Sequence, residues 1–353
     1  METMEIPVTR VKRSRLAEMD FNHLPFGKYF SDHMLEADYA DGEWKLVSIK
    51  PYQPISFEPS IMALHYGQAI FEGIKAYRNK NGEAVIYRPY DNLKRFNISA
   101  ERMDMPAIPE DIFIEGMRQL LAIDKEWIPT KEDYSLYIRP FMFATDATLG
   151  VKASETYKFM ILLSPTGPYY ASPMKIYVEE KYTRAAPGGV GFAKNAGNYG
   201  GALKATSEAR AQGYDQVLWT DAFEHKWLQE VGTMNVFFAF GNTAVTPPLD
   251  EGTILEGVTR DSVIQVLREQ GYKVEERRIN IDEVVEGHRS GKLTEIFGSG
   301  TAATISSIKE LRYKDYTMHF DVSSYKMAPA AKKILTEIRE GKRPDTHNWL
   351  VKV

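Results

Sequence analysis

Residues 189–206 read GVGFAKNAGNYGGALKAT, and the reading of this stretch decides how the rest of the chain is understood. Lys194 stands among Gly, Ala, Asn and Phe, with no further charge before Lys204. Small neighbours let another molecule approach the backbone closely. A lysine in poorly solvated surroundings favours its neutral, nucleophilic form, the requirement for Schiff-base chemistry. A surface lysine beside a Gly-rich turn fits the same residues, so the stretch taken alone leaves both readings open. Next comes helical periodicity. Tyr199, Ala202, Leu203, Thr206 and Ala209 fall at i, i+3, i+4, i+7 and i+10, which predicts a helix over 200–212 with that stripe inward and Gly213 as its stop.

Outward from this helix, 215–220 and 234–240 read as strands. A helix begins at Thr259, carries Val263, Ile264 and Leu267, and closes at Gly271. Residues 282–289 form a short helix, 293–297 a strand running into Ser299–Gly300–Thr301, and 328–340 a last helix. Upstream, 174–179 is a strand, and SPTGPYYASP (164–173) is Pro-rich and suits an extended linker. Before it, 134–143 and 157–163 read as neighbouring strands and 110–124 as a helix. A second helix opens at Pro89 and Asp91 with Leu93, Phe96, Ala100 and Met103 inward. Asn81–Gly82 predicts a hairpin between 74–78 and 84–88. The expected organisation is α/β with mixed sheets: a smaller domain over 1–164, a linker over 165–173 and a larger domain over 174–353.

Composition narrows the function classes. A chain of 353 residues is too long for one ordinary core, which favours two domains. A net charge of −4 carries no basic excess for nucleic acid or an anionic membrane. Without cysteine, disulfides, thiolate metal sites and cysteine nucleophiles are excluded. The N-terminal METMEIPVTRVKRSRL lacks the apolar region of a signal peptide, and no apolar run is long enough to span a membrane, so a cytoplasmic protein is expected. The histidines lack metal-ligand spacing, so no metal site is expected. His65 beside Tyr66 reads as packing, and no Gly-x-Ser-x-Gly elbow supports a hydrolase.

Several features could carry chemistry. Gly257–Val258–Thr259 precedes a helix, whose first amides and dipole favour an anion, although Thr259 also reads as a simple cap. Ser299–Gly300–Thr301–Ala302 could form a second cradle of amides and hydroxyls, or a tight turn. Neither has the spacing of a P-loop, and GGVGFAKNAG is not a dinucleotide fingerprint. Glu230, just before the strand VFFAF, could pair with a protonated ring nitrogen or be a solvated loop glutamate. Arg95 lies off the apolar stripe of its helix, as a solvated residue would. Arg139, in the strand YIRPFMF, could grip a carboxylate or serve a structural ion pair.

In combination and in order, these pieces are specific. The segments HYGQAIFEGIKAYR (65–78), RPYDNLKRFNISAERMDMP (88–106), LYIRPFMFATDATLGV (136–151), AKNAGNYG (193–200), GYDQVLW (213–219), EVGTMNVF (230–237), EGVTRDSV (256–263) and EIFGSGTAA (295–303) span most of the chain. The chain resembles the branched-chain amino-acid aminotransferases, two-domain pyridoxal 5′-phosphate enzymes of fold type IV with a D-amino-acid-aminotransferase-like fold, and within them the larger, eukaryote-like subgroup.

The resemblance implies roles. Lys194 would be the Schiff-base lysine, Tyr199 would bond the cofactor's phenolic oxygen and Glu230 its ring nitrogen. Arg95 would bind the phosphate, with the amides of Val258 and Thr259 and with Thr301, which sets aside the solvated reading of Arg95. Thr233 and Ala302 would hold the substrate carboxylate or the cofactor. Phe26, Tyr66, Phe71, Tyr137, Arg139 and Tyr169 would shape the side-chain pocket. The family forms homodimers in which Tyr66, Leu149 and Val151 reach the neighbouring pocket, and the cofactor lies in the cleft between the domains. The implied reaction is reversible ping-pong transfer of the amino group of L-leucine, L-isoleucine or L-valine to 2-oxoglutarate. One departure stands out: where mammalian relatives carry Cys-x-x-Cys after the SGTA motif, this chain reads TAATIS, which excludes that thiol switch. Nearby alternatives, a D-amino-acid aminotransferase or an aminodeoxychorismate lyase, would share the lysine and glutamate. The YIRP strand and the long N-terminal segment favour the branched-chain group.

Overall fold

Asn79 shows how local chemistry starts the first sheet. Its side-chain oxygen accepts the amides of Asn81 and Glu83 at 2.9 and 3.0 Å, and Gly82 takes φ +77°, so the chain reverses between two strands as its turn residues predict. The structure, a computed structural model, describes residues 5–170 and 172–353. Residues 1–4 and Ala171, the latter within the expected linker, lie outside them.

Packing divides the chain into two units. The first takes the residues up to Tyr169 together with Ala193–Ala196 and Ile338–Val353; the second takes Tyr170–Phe192 and Gly197–Glu337. This differs from the expected boundaries at three places. Pro165 and Thr166 belong to a strand rather than a linker, the segment around Lys194 packs with the first unit, and so do the last residues of the chain.

The first unit is built on an eight-stranded antiparallel sheet. Its strands are β1 (His33–Ala40), β2 (Glu43–Pro51), β3 (Ala69–Phe71), β4 (Ile74–Arg78), β5 (Ala84–Tyr87), β6 (Ser135–Ala144) and β7 (Tyr157–Thr166). The C-terminal strand Leu350–Lys352 covers the free edge of β5, an exposed row of backbone groups that needs a partner. Against the sheet lie α1 (Met62–Tyr66), α2 (Pro89–Arg102) and α3 (Gly116–Ile123), the last preceded by a π-helical turn at Asp111–Glu115. The predicted stripe of α2 is inward: Leu93, Phe96 and Ala100 are buried. Phe96, Phe113 and Phe159 pack with ring centroids 5.6–5.9 Å apart. Each such pair contributes about 0.5–1.5 kcal/mol beyond area burial.

The second unit carries β8 (Met174–Val178), β9 (Gln216–Thr220), β10 (Leu228–Val231), β11 (Met234–Phe240), β12 (Thr243–Thr246), β13 (Lys273–Glu276), β14 (Leu293–Gly300), β15 (Thr304–Tyr313) and β16 (Tyr316–His319). The sheet is mixed, with β8–β9, β8–β15 and β12–β13 parallel. Because β10 pairs with both β9 and β11, the path β10-β9-β8-β15-β14-β11 closes on itself, which removes its edges. Helices α4 (Ala196–Ala211), α5 (Val258–Glu269), α6 (Ile281–Arg289) and α7 (Met327–Arg339) complete the set.

Helix α4 corrects the predicted stripe. Ala205 and Ala209 are buried with Val217 and Trp219, Ala202 packs beside them, and Leu203 is 69% exposed. The helix rests on its alanine row because small side chains allow close approach to bulky β9. Helix α7 is capped from outside. The buried Glu295 of β14 accepts the amides of Lys326, Met327 and Ala328, groups that a helix cannot satisfy itself. Among the described residues no helix is long and apolar enough to cross a membrane.

One carboxylate organises the approach to β10. Asp221 accepts four backbone amides, from Phe223, Glu224, Lys226 and Trp227, at 2.8–3.0 Å, and so fixes the turn that returns the chain into β10. Burial pushes its pKa up, but the four amides pull it below the ordinary aspartate value. A carboxyl depressed on folding adds stability above its unfolded pKa and loses it as pH falls through the folded one. Asp221→Asn is therefore expected to cost about 1–3 kcal/mol at pH 7, with the deficit shrinking towards about pH 3. Urea denaturation at both pH values checks this, and a deficit independent of pH would contradict it.

Candidate active site

In the first unit, the peptide of Lys194 is held from both sides. Its N–H donates to Ser99 Oγ at 2.9 Å, and its carbonyl accepts the Phe71 N–H at 3.0 Å. Ile70 and Asn195 form an antiparallel bridge. The segment thus pairs alongside β3, and α4 starts at Ala196, earlier than its periodicity suggested. Lys194 Nζ lies 4.8 Å from the centre of the Phe71 ring, and the residue is half-buried rather than sealed from water.

Around this lysine the structure collects most of the expected pocket residues. Tyr137 and Arg139 alternate onto one face of β6. The Arg139 guanidinium covers the Phe71 ring at 4.8 Å and the Tyr137 ring at 5.3 Å, and its Nη2 donates to the Tyr137 hydroxyl at 3.2 Å. Phe26 packs edge-on against both Tyr137 and Tyr169, each at 4.9 Å. Gly73 makes room for this wall, since a Cβ there would collide with the Tyr137 hydroxyl and ring. Arg139 Nε is buried without a hydrogen-bond partner among the described residues, so the arginine retains donor capacity. Aromatic faces beside an arginine suit both an apolar side chain and a carboxylate.

Arg95 is buried at 6% exposure, although it lies off the apolar stripe of α2. The reason is Glu72, a residue that sequence reasoning missed. Arg95 Nε and Nη2 donate to the two Glu72 oxygens at 2.7 and 2.8 Å. Asn92 Nδ2 and the Gly73 amide add bonds at 2.8 and 3.0 Å. Glu72 has no exposed surface. Burial pushes its pKa up, while Arg95, Lys194 and Asn92 together hold it below the ordinary glutamate value. Taking one partner from such a pair strands a buried charge, at about 3–5 kcal/mol. The only sequence signal was a lone acid in the apolar run AIFEGI.

In the second unit, Glu230 lies in a strand and is buried, which corrects the reading of a solvated loop glutamate. It sits opposite Asn235 across the β10–β11 hairpin, and Asn235 sits opposite Ser299 on β14. Opposite residues share a face, so Glu230, Asn235 and Ser299 form a row. Glu230 Oε1 accepts the Leu255 amide at 2.8 Å, and Asn235 Nδ2 donates to the Leu255 carbonyl at 3.0 Å. This two-point clamp sets the entry to α5. The N-cap of α5 is Gly257, not Thr259, and it makes no side-chain cap bond. A Cβ at Gly257 would strike Asn235, so only glycine lets the chain pass. Val258 and Thr259 fall in the first turn, whose amides and dipole favour an anion.

A second unforeseen residue, Arg184, meets Glu230 at 3.4 Å and also donates to the Thr253 carbonyl. Ser299 Oγ is buried without a partner among the described residues. Strand β14 runs on through Gly300, so Ser299 belongs to a strand, while Thr301 and Ala302 occupy the following turn. Thr233 is in the β10–β11 turn, and the Asn235–Ser299 register puts both turns at one end of the sheet. Tyr199 is half-buried in the first turn of α4.

Tyr66, Leu149 and Val151 form a separate group on the first unit. The Tyr66 hydroxyl donates to the Leu149 carbonyl, and the three residues are all exposed, Val151 by 84%.

A family model described as amino-transferase class IV matches residues 69–311. The probable branched-chain-amino-acid aminotransferase of Staphylococcus epidermidis is 48% identical over 349 residues, 97% of either chain. Branched-chain-amino-acid transaminase 1 of Bacillus subtilis is 48% identical over 95% of either chain. Among solved structures, the branched-chain amino acid aminotransferase of Escherichia coli matches with a TM-score of 0.75 at 25% identity, covering 90% of this chain and 98% of that one. The T.th. branched-chain amino acid aminotransferase with pyridoxamine 5′-phosphate matches with a TM-score of 0.72 at 25% identity, covering 89% and 97%. The family model covers well over half of the sequence, and it includes Glu72, Arg95, Lys194 and Glu230. On that ground, and on its identity to those near-full-length relatives, the chain belongs to the class IV aminotransferases and, within them, to the branched-chain-amino-acid aminotransferases.

Proposed function

We propose that this branched-chain-amino-acid transaminase uses pyridoxal 5′-phosphate and exchanges amino groups between L-leucine, L-isoleucine or L-valine and 2-oxoglutarate. The observation that carries this reading is the wall beside Lys194, where Phe26, Phe71, Tyr137 and Tyr169 gather around Arg139. One pocket must take an aliphatic side chain in one half-reaction and a glutamate carboxylate in the other. Aromatic faces suit the first, and Arg139 with the Tyr137 hydroxyl suits the second.

The residues present fit the cofactor. The first turn of α5, entered through Gly257, and the unpartnered Ser299 hydroxyl suit phosphate oxygens. Arg95, the amides of Val258 and Thr259, and Thr301 would hold the phosphate. Glu230, braced by Leu255 and Arg184, would hold the proton on the ring nitrogen, and Tyr199 would bond the phenolic oxygen. When bound, the cofactor supplies an electron sink for the charge left on deprotonating a substrate's Cα. Lys194 would anchor it and then, once released, take the Cα proton as a general base and return it as an acid. The cation–π contact with Phe71 and the two backbone bonds limit where its amine can reach. Thr233 and Ala302 would orient the substrate carboxylate. The exposed Tyr66, Leu149 and Val151 support a homodimer in which this patch serves the neighbouring pocket. A cytoplasmic location belongs to the same reading.

The test is the absorbance of the purified protein loaded with pyridoxal 5′-phosphate. A visible band should fade on adding L-leucine and return on adding 2-oxoglutarate. A response to a D-amino acid alone would move the chain to a sister activity. Lys194→Ala should lower turnover by roughly 100–10,000-fold or more, and full activity in that variant would remove the lysine from its role. Arg139→Ala should lower kcat/KM for 2-oxoglutarate roughly 10–100-fold and for leucine far less. Equal losses in the two half-reactions, measured separately, would count against the carboxylate role.

A further inference from the structure

We propose that Gly73 is a positioning residue that sets substrate choice: its bare Cα lets the Tyr137 hydroxyl stand beside Arg139, and that pair of donors admits a side-chain carboxylate to a pocket otherwise built for aliphatic groups. The inference rests on the proposed function for the two substrate classes, and goes beyond it in naming the residue that governs the choice between them.

Register puts Gly73 where a side chain would matter. Strands β3 and β4 both pair with β6, Phe71 opposite Phe141 and Ile74 opposite Ile138. The count between these pairs is the same on both strands, so Glu72 falls across from Pro140 and Gly73 across from Arg139. Opposite residues share a face, and their diagonal neighbours lie within reach. A side chain at position 73 would therefore meet the face that carries Arg139 and Tyr137. A Cβ there would overlap the Tyr137 hydroxyl and come within 2.9 Å of its Cζ, so something would have to shift. The backbone of Gly73 is not in the left-handed region. The glycine is thus needed for space and not for conformational freedom.

The peptide at Gly73 is not the part that can give way. The Glu72 amide donates to the Pro140 carbonyl at 2.8 Å, and the Gly73 amide donates to Glu72 Oε2 at 3.0 Å. Asn92 Nδ2 reaches the same oxygen at 2.8 Å and the Gly73 carbonyl at 3.4 Å. The Glu72 carboxylate, with no exposed surface, is held in turn by Arg95. Tyr137 would have to move instead, from between Phe26 at 4.9 Å and the Arg139 guanidinium at 5.3 Å. The bond a displaced ring loses is the one from Arg139 Nη2 to its hydroxyl, 3.2 Å long. In that bond the hydroxyl accepts, which leaves its own proton to donate to a ligand. Arg139 Nε likewise has no partner among the described residues. Two adjacent donors suit a carboxylate, whereas an aliphatic side chain needs only the faces of Phe26, Phe71 and the Tyr137 ring. A side chain at position 73 therefore removes carboxylate recognition first.

The experiment is a double-mutant cycle on the full-length chain loaded with pyridoxal 5′-phosphate. The parent, Gly73→Ala, Tyr137→Phe and the double variant are compared in the two half-reactions, read separately by the fading of the visible band with L-leucine and its return with 2-oxoglutarate. Each single variant should lower kcat/KM for 2-oxoglutarate roughly tenfold more than for leucine. Because both act through one hydroxyl, the double variant should match Tyr137→Phe instead of multiplying the two losses. Calorimetric titration should show binding of glutarate weakened about tenfold in Gly73→Ala, with 4-methylvaleric acid affected far less. Thermal melting adds a readout without turnover: the double variant, which lacks the overlapping oxygen, should melt above Gly73→Ala. If Gly73→Ala does not fold, a double variant that folds and matches Tyr137→Phe upholds the proposal. Equal losses in both half-reactions for Gly73→Ala, losses that multiply in the double variant, or a double variant no more stable than Gly73→Ala would overturn it. A parent whose visible band ignores both leucine and 2-oxoglutarate would sink the proposed function instead, while the glutarate titrations and the melting comparison would still be readable.

Discussion

The peptide of Lys194 is bonded on one side to a helix and on the other to a strand end, and the chemistry of the first unit depends on that arrangement. A long side chain on a free loop samples many rotamers, and ordering it costs up to about 2 kcal/mol. Fixing the backbone at both polar groups confines that freedom to the side chain, which then rests against Phe71. The same two bonds explain why Ala193–Ala196 packs with the first unit: a short extended segment satisfies its backbone groups on the nearest strand.

The second unit solves its own problem by closing a sheet. With β10 bonded to β9 and β11, the register of the hairpin has no freedom to slip, and a slip of one residue would turn Glu230 to the other face. Glu230 and Asn235 then hold both polar groups of Leu255, and that clamp determines where α5 begins. A strand carboxylate and a helix N-terminus, which act on opposite charges, are thereby fixed by a single residue, Leu255. Asp221, by gathering four amides at the preceding turn, brings the chain into β10.

Local signals were legible where the physics is local. The Asn81–Gly82 turn and the stripe of α2 both followed from residue spacing. The errors have equally physical causes. Leu203 looked like an anchor, but α4 had to approach Trp219 closely, and alanine rather than leucine permits that. Thr259 looked like a cap, but the helix started earlier because glycine alone fits beside Asn235. Arg95 by periodicity alone read as solvated, since an off-stripe position shows nothing of a carboxylate supplied by a distant strand end.

By itself the sequence determined the kinds of element, the isolated lysine in its Gly- and Ala-rich surroundings, the absence of thiol chemistry, and, through ordered motifs, the family. Those properties reside in composition, short spacing and motif order. Tertiary structure alone decided that Glu72 meets Arg95, that Arg184 braces Glu230, that Ser299 joins the row of Glu230 and Asn235, and that the last strand returns to the first sheet. Each of these is a pairing between residues far apart in the chain, settled by strand register and by the cost of burying an unpaired charge or amide. Neither of those quantities exists until the chain has folded.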